Sequence, residues 1–136
     1  MREGIDGFCT GVLSVQEMES ELRFVVDFLK LKNISEVKVT HWFGVNDIQV
    51  DQLQAVLVSG IVYASPQRAV QKATLGSSDF AITSTKISLV FILDHEDELK
   101  LLYGDSVDTG LFVNRWKALG YNVRSGYMVT AKWWKT

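Results

Sequence analysis

Residues 90–104 read VFILDHEDELKLLYG: an apolar run stops at Asp94, and His95, Glu96, Asp97 and Glu98 follow at once. Three chemistries suit that composition. The carboxylates and imidazole could ligate a cation, a pair of acids could work on a substrate, or the acids could open a helix. The last reading accounts for every residue type. Asp94 makes an N-cap, and Glu96, Asp97 and Glu98 fall where the helix dipole favours negative charge. Glu96 and Lys100 have the spacing of a surface ion pair, and Leu99, Leu101 and Leu102 supply a buried side. A metal site draws ligands from separate elements, whereas a helix start splays them around its circumference. The sequence therefore predicts a helix from Asp94, with no metal ligands and no cofactor. Ligands of open α/β sheets bind outside the carboxyl ends of strands. Asp94 and His95, with His41, therefore stand as an alternative enzymatic site.

Other catalytic signatures are missing. There is no phosphate-binding loop, dinucleotide fingerprint, zinc spacing or nucleophile elbow. Cys9, in GFCTG, is the single cysteine. It reads as a buried thiol rather than a reactive one and rules out an internal disulfide, which fits a reducing compartment. Glu36-x-Lys38 and Glu98-x-Lys100 match the carboxylate–lysine pair of metal-dependent nucleases. That chemistry also needs the pair on a strand and an upstream acid. Asp6 or a helix glutamate would have to supply the acid, and the second pair falls in the helix expected from Asp94. The chain reads more readily as a non-enzyme.

Charge is segregated more than the net value of −2 suggests. Residues 94–108 hold six acids against Lys100, and from 109 onward there are only cations: Arg115, Lys117, Arg124, Lys132 and Lys135. Either the two segments neutralise each other across the folded surface, or the basic end faces an acidic partner. Aromatic rings interleave with those cations. Arg115, Trp116, Arg124, Tyr127, Lys132, Trp133, Trp134 and Lys135 are accordingly the candidate binding residues, because tryptophan and arginine dominate binding hot spots. Trp133 and Trp134 would point to opposite faces of a strand, so only one can easily enter a core. The expected partner is another protein or a second copy forming a homodimer. Single-stranded nucleic acid is the alternative, since rings stack on bases, although a sequence pI of about 5.6 offers it no general attraction.

Residues 114–134, NRWKALGYNVRSGYMVTAKWW, resemble the helix, GY-x-V and glycine-bearing strand that open the catalytic domain of the tRNA-splicing endonucleases. In that family the catalytic histidine and lysine follow this segment, so the resemblance carries no catalytic residue onto these positions.

The longest apolar run, AVLVSGIVYA at 55–64, is half of what a membrane span needs, and MREGIDGFCTG lacks the apolar block of a secretory signal. No membrane association and a cytoplasmic location are expected. Ser14 with Glu17 forms a capping-box pattern, and Met18, Leu22, Val25 and Leu29 give an apolar helical stripe ending near Asn33. EVKVTHWF alternates as a strand, with Val37, Val39, His41 and Phe43 sharing a face. Leu53, Val56, Leu57, Gly60 and Ile61 fit a helix, although AVLVSGIVYA around its Ser-Gly pair also fits two strands with a turn, and Ser65-Pro66 starts a short helix through Thr74. DFAITSTKISLVFIL has strand composition; Ile87–Leu93 reads as a central strand and the first half as an edge or separate strand. A last helix over Thr109–Leu119 should bury Leu111, Phe112, Arg115, Trp116 and Leu119, with Gly120 as cap. A strand follows in which Gly126 marks a bulge or tight turn. Together these elements predict one globular domain over 1–136. Its class is α/β or α+β, with a mixed sheet of four to five strands and helices on at least one face.

Overall fold

Ser14 and Glu17 start the first helix as their spacing dictates. The computed structural model describes residues 5–41, 44–58, 80–93, 98–102 and 106–128. In it, helix α1 spans Val15–Leu31. The Glu17 N–H donates to Ser14 Oγ at 3.1 Å, and the Ser14 N–H donates to Glu17 Oε1 at 2.9 Å. At the other end Asn33 takes φ 59°. Its N–H donates to Lys30 O and that of Ile34 to Leu29 O, which together form a Schellman cap. The expected stripe of Met18, Leu22, Val25 and Leu29 is buried.

The elements follow as β1 (Ile5–Val12), α1, β2 (Glu36–His41), β3 (Gly44–Gln49), α2 (Val50–Val58), β4 (Phe80–Thr83), β5 (Val90–Leu93), β6 (Glu98–Leu102), α3 (Ser106–Ala118) and β7 (Arg124–Met128). The strands form one sheet in the order β3-β2-β4-β5-β6-β1-β7, with every neighbouring pair antiparallel. This is a single α+β domain, and its sheet corrects the expected mixed sheet of four to five strands. Strands β1 and β3 carry glycine, aspartate and asparagine, which strands usually avoid, so their sequences conceal them. DFAITSTKISLVFIL is not one strand but a hairpin, with Phe80 opposite Leu93 and Ile82 opposite Phe91. Strand β4 lies between β2 and β5, so it is separate but not an edge.

The largest correction concerns the acidic stretch. Residues 98–102 form β6 rather than the first turns of a helix. Leu99 and Leu101 face the helices, while Leu102 is buried on the opposite face. A strand covered on both faces is apolar at nearly every position, and over so few residues that pattern also fits one side of a helix. Asp94, His95, Glu96 and Asp97 lie outside the described residues. So do Trp42, Phe43, Gly60, Ile61 and the expected Ser65–Thr74 helix.

Among the described residues, α1, α2 and α3 all contribute to the core on one face of the sheet. Leu53 and Leu57 of α2 are fully buried there. Helix α3 runs antiparallel to α1, since Asp108 reaches Lys32, Phe112 reaches Phe28 and Phe24, and Arg115 reaches Glu21. Its buried side is turned from the expected one: Phe112, Val113 and Trp116 point in, while Leu111 and Leu119 are 46% and 51% exposed. The ring of Phe112 lies edge-on to Phe24, Phe28 and Phe91 at 5.1 Å and to Trp116 at 6.1 Å, an arrangement that favours aromatic pairs beyond their burial. On the other face Ala81, Ile92 and Leu102 form a smaller buried cluster with Val90 packed against it. Among the described residues, no helix is long and apolar enough to cross a membrane.

Strand β7 pairs with β1 in unbroken register from Ile5–Met128 to Cys9–Arg124, so Gly126 carries no bulge. The irregularity lies in β1 between Cys9 and Val12, against β6, and Gly11 there takes φ 78°, which glycine alone adopts freely.

Neighbouring residues of α3 give a direct check. Phe112→Ala should cost about 3–5 kcal/mol through lost burial and the cavity it leaves. Leu111→Ala, at a half-exposed position, should stay within about 1 kcal/mol of the parent. Urea unfolding of the two variants would test this, and similar midpoints would contradict the helix orientation.

Candidate functional site

Three of the candidate binding residues belong to two polar clusters, one on each face of the sheet: Arg115 and Trp116 to the first, Arg124 to the second. The first centres on Glu21, a fully buried glutamate of α1 beside the apolar stripe. A carboxylate without water needs donors on its lone pairs, and α3 with the turn after it provides them. Arg115 donates through Nε to Oε1 and through Nη2 to Oε2, both at 3.1 Å; Trp116 Nε1 reaches Oε1 at 2.9 Å and Tyr121 Oη reaches Oε2 at 2.9 Å. The cap at Gly120 places the tyrosine: at φ 82° that residue turns the chain back, with the Gly120 N–H on Lys117 O and the Tyr121 N–H on Trp116 O. The Arg115 guanidinium also lies over the Phe24 ring, 4.3 Å from its centroid. Burial, and then the bond to Glu21, push the Tyr121 phenol well above its usual range.

The second cluster joins β1, β6 and β7. Register sets Cys9 opposite Lys100 on one side and Arg124 on the other, with Glu98 two residues before Lys100. The Cys9 thiol donates to Glu98 Oε1 at 2.8 Å, and Arg124 Nη2 forms an ion pair with the same oxygen while lying 3.4 Å from Cys9 Sγ. Both Cys9 and Glu98 are buried, whereas the Arg124 side chain is 60% exposed. The bulge closes around them: Thr10 Oγ1 accepts from the Leu99 N–H at 3.2 Å and donates to Gly11 O at 2.7 Å. Burial raises the Cys9 thiol above its usual range and the bond to Glu98 raises it further, against smaller lowering by Gly11 and Arg124. A nucleophilic cysteine needs the opposite, a thiolate at neutral pH. The cluster holds a protonated thiol and fastens β7 to the sheet.

Trp116 and Arg115 therefore face inward onto Glu21, and Arg124 stands at the border between sheet and solvent. Tyr127 is a backbone position of β7. Lys132, Trp133, Trp134 and Lys135 lie outside the described residues, as do Val129 and Ala131. Of the two segregated charge segments, Glu98 and Arg124 do neutralise each other, but Asp108 pairs with Lys32 of α1 at 3.0 Å and Arg115 with Glu21. The pair Glu98-x-Lys100 is on a strand, unlike the expectation, with Glu98 engaged by Cys9 and Arg124. Glu36 and Lys38 are exposed on β2, and Glu36 accepts from Gln49 Nε2 at 2.9 Å. Among the described residues, no group of three or more His, Cys, Asp and Glu converges as a cation site would require. His41 ends β2, and the alignment of Thr40, Ala81 and Ile92 puts that end level with the end of β5.

The sequence reading passed over Glu21 and the link from Cys9 to Glu98. Glu21 left one signal, an acid three residues after Met18 and next to Leu22, at the margin of an apolar stripe. Cys9 and Glu98 left none, because 89 positions separate them and only the sheet register joins them.

No protein family, curated protein or solved structure matches this chain.

Two measurements follow from the clusters. Glu21→Leu leaves three polar groups facing a site without acceptors and should cost about 3–5 kcal/mol, as breaking a buried ion pair does. Tyr121→Phe removes one bond to a charged group and should cost about 1.5–3 kcal/mol. Denaturant midpoints in the reverse order would contradict the Glu21 geometry. The Cys9 and Tyr121 protons are held more tightly in the folded chain than in the unfolded one. Their contribution is thus complete below the ordinary thiol and phenol ranges and is lost as pH rises from there toward the raised folded-state values. Stability should fall between about pH 8 and pH 11, and less steeply in Cys9→Ser/Tyr121→Phe. An unchanged slope in that variant would show that neither proton is linked to folding.

Proposed function

We propose that this protein is a small non-catalytic interaction module, of the adaptor, inhibitor, immunity or assembly-factor kind. Its contact surface would be the β7 margin of the sheet with the aromatic, basic residues that follow. The position of β7 carries this reading. It is one of the two terminal strands of the order, β3 being the other, and among the described residues it has one neighbour, β1; unlike β3, it leads directly into the aromatic, basic segment of the sequence. A terminal strand presents main-chain donors and acceptors along its outer side, a template for strand addition by another chain or by a second copy. Arg124 adds a largely exposed guanidinium at the start of that strand. In the sequence Tyr127, Lys132, Trp133, Trp134 and Lys135 follow, with ring and cation types suited to a binding hot spot. Arg115 and Trp116, bound to Glu21, would support the surface from inside rather than touch the partner.

Two observations favour an interaction role over catalysis. Burial, and then the bond to Glu98, keep the thiol protonated, and the buried carboxylates carry donors from their own chain. A free thiol also suits the reducing interior of the cytoplasm.

The natively purified chain tests the reading by light scattering, with absorbance at 260 and 280 nm, at low and high salt. A homodimer or a stoichiometric protein companion that persists at high salt is expected. Trp133→Ala/Trp134→Ala should weaken it at least about tenfold, the effect of losing one hot-spot residue. Nucleic acid that co-purifies at low salt and leaves at high salt would overturn the proposal in favour of phosphate binding. A monomer without companion under both conditions would also count against it.

A further inference from the structure

We draw no further inference here: the strongest candidate, the Cys9, Glu98 and Arg124 cluster where β1, β6 and β7 meet, belongs to the site already described and offers a lone cysteine with nothing in the structure that points to a ligand.

Discussion

A glutamate without solvent contact, held among apolar residues of α1, is the constraint to which the helical layer conforms. Taking a carboxylate out of water costs several kcal/mol unless donors replace the lost hydration. Glu21 receives such donors from Arg115, Trp116 and Tyr121, all supplied by α3 and the turn that ends it. Apolar packing alone tolerates rotation or sliding of one helix on another, whereas directional bonds to two carboxylate oxygens do not. The same contact explains why Phe112, Val113 and Trp116 are the buried side of α3 while Leu111 and Leu119 remain half exposed. The edge-on rings around Phe112 then pack in the orientation that Glu21 selects.

On the other side of the sheet, Glu98 plays the equivalent part for the strands. It links β6 to β1 through Cys9 and to β7 through Arg124, at the place where the bulge in β1 interrupts the regular ladder. A terminal strand that has only one neighbour gains from such side-chain ties, because half of its main-chain groups have no ladder partner. Arg124 thereby fastens the start of β7 to Glu98 of β6 as well as to its ladder partner β1.

Parts of this arrangement are legible in the residues themselves. Local signals served α1 and the two left-handed caps, but the equally local helix-start signals before Leu99 misled, because Glu98–Leu102 is a strand. The capping box of Ser14 and Glu17, the left-handed caps at Asn33 and Gly120, the apolar stripe of α1 and the helical spacing of Leu53 and Leu57 all depend on neighbours in the chain. The strand content was less legible. Val90–Leu93 is recognisable as a central strand because both faces are apolar, but Glu98–Leu102, also buried on both faces, lacks the alternation by which a strand is recognised. Asn46 and Asp47 in β3, and the glycines of β1, conceal strands that are specified by their partners.

The sequence by itself determined the ends of α1, the α and β content in outline and the single free thiol, since capping and periodicity act through short-range hydrogen bonds and burial. Only the tertiary structure decided which charges meet. Cys9 and Glu98 stand 89 positions apart, Glu21 and Arg115 stand 94 apart, and neither pair has a spacing that local geometry could reveal. Sheet order and helix packing bring them together. Because desolvated charges must find donors, those meetings turn Arg115 and Trp116 inward onto Glu21, where their types alone suggested a binding surface.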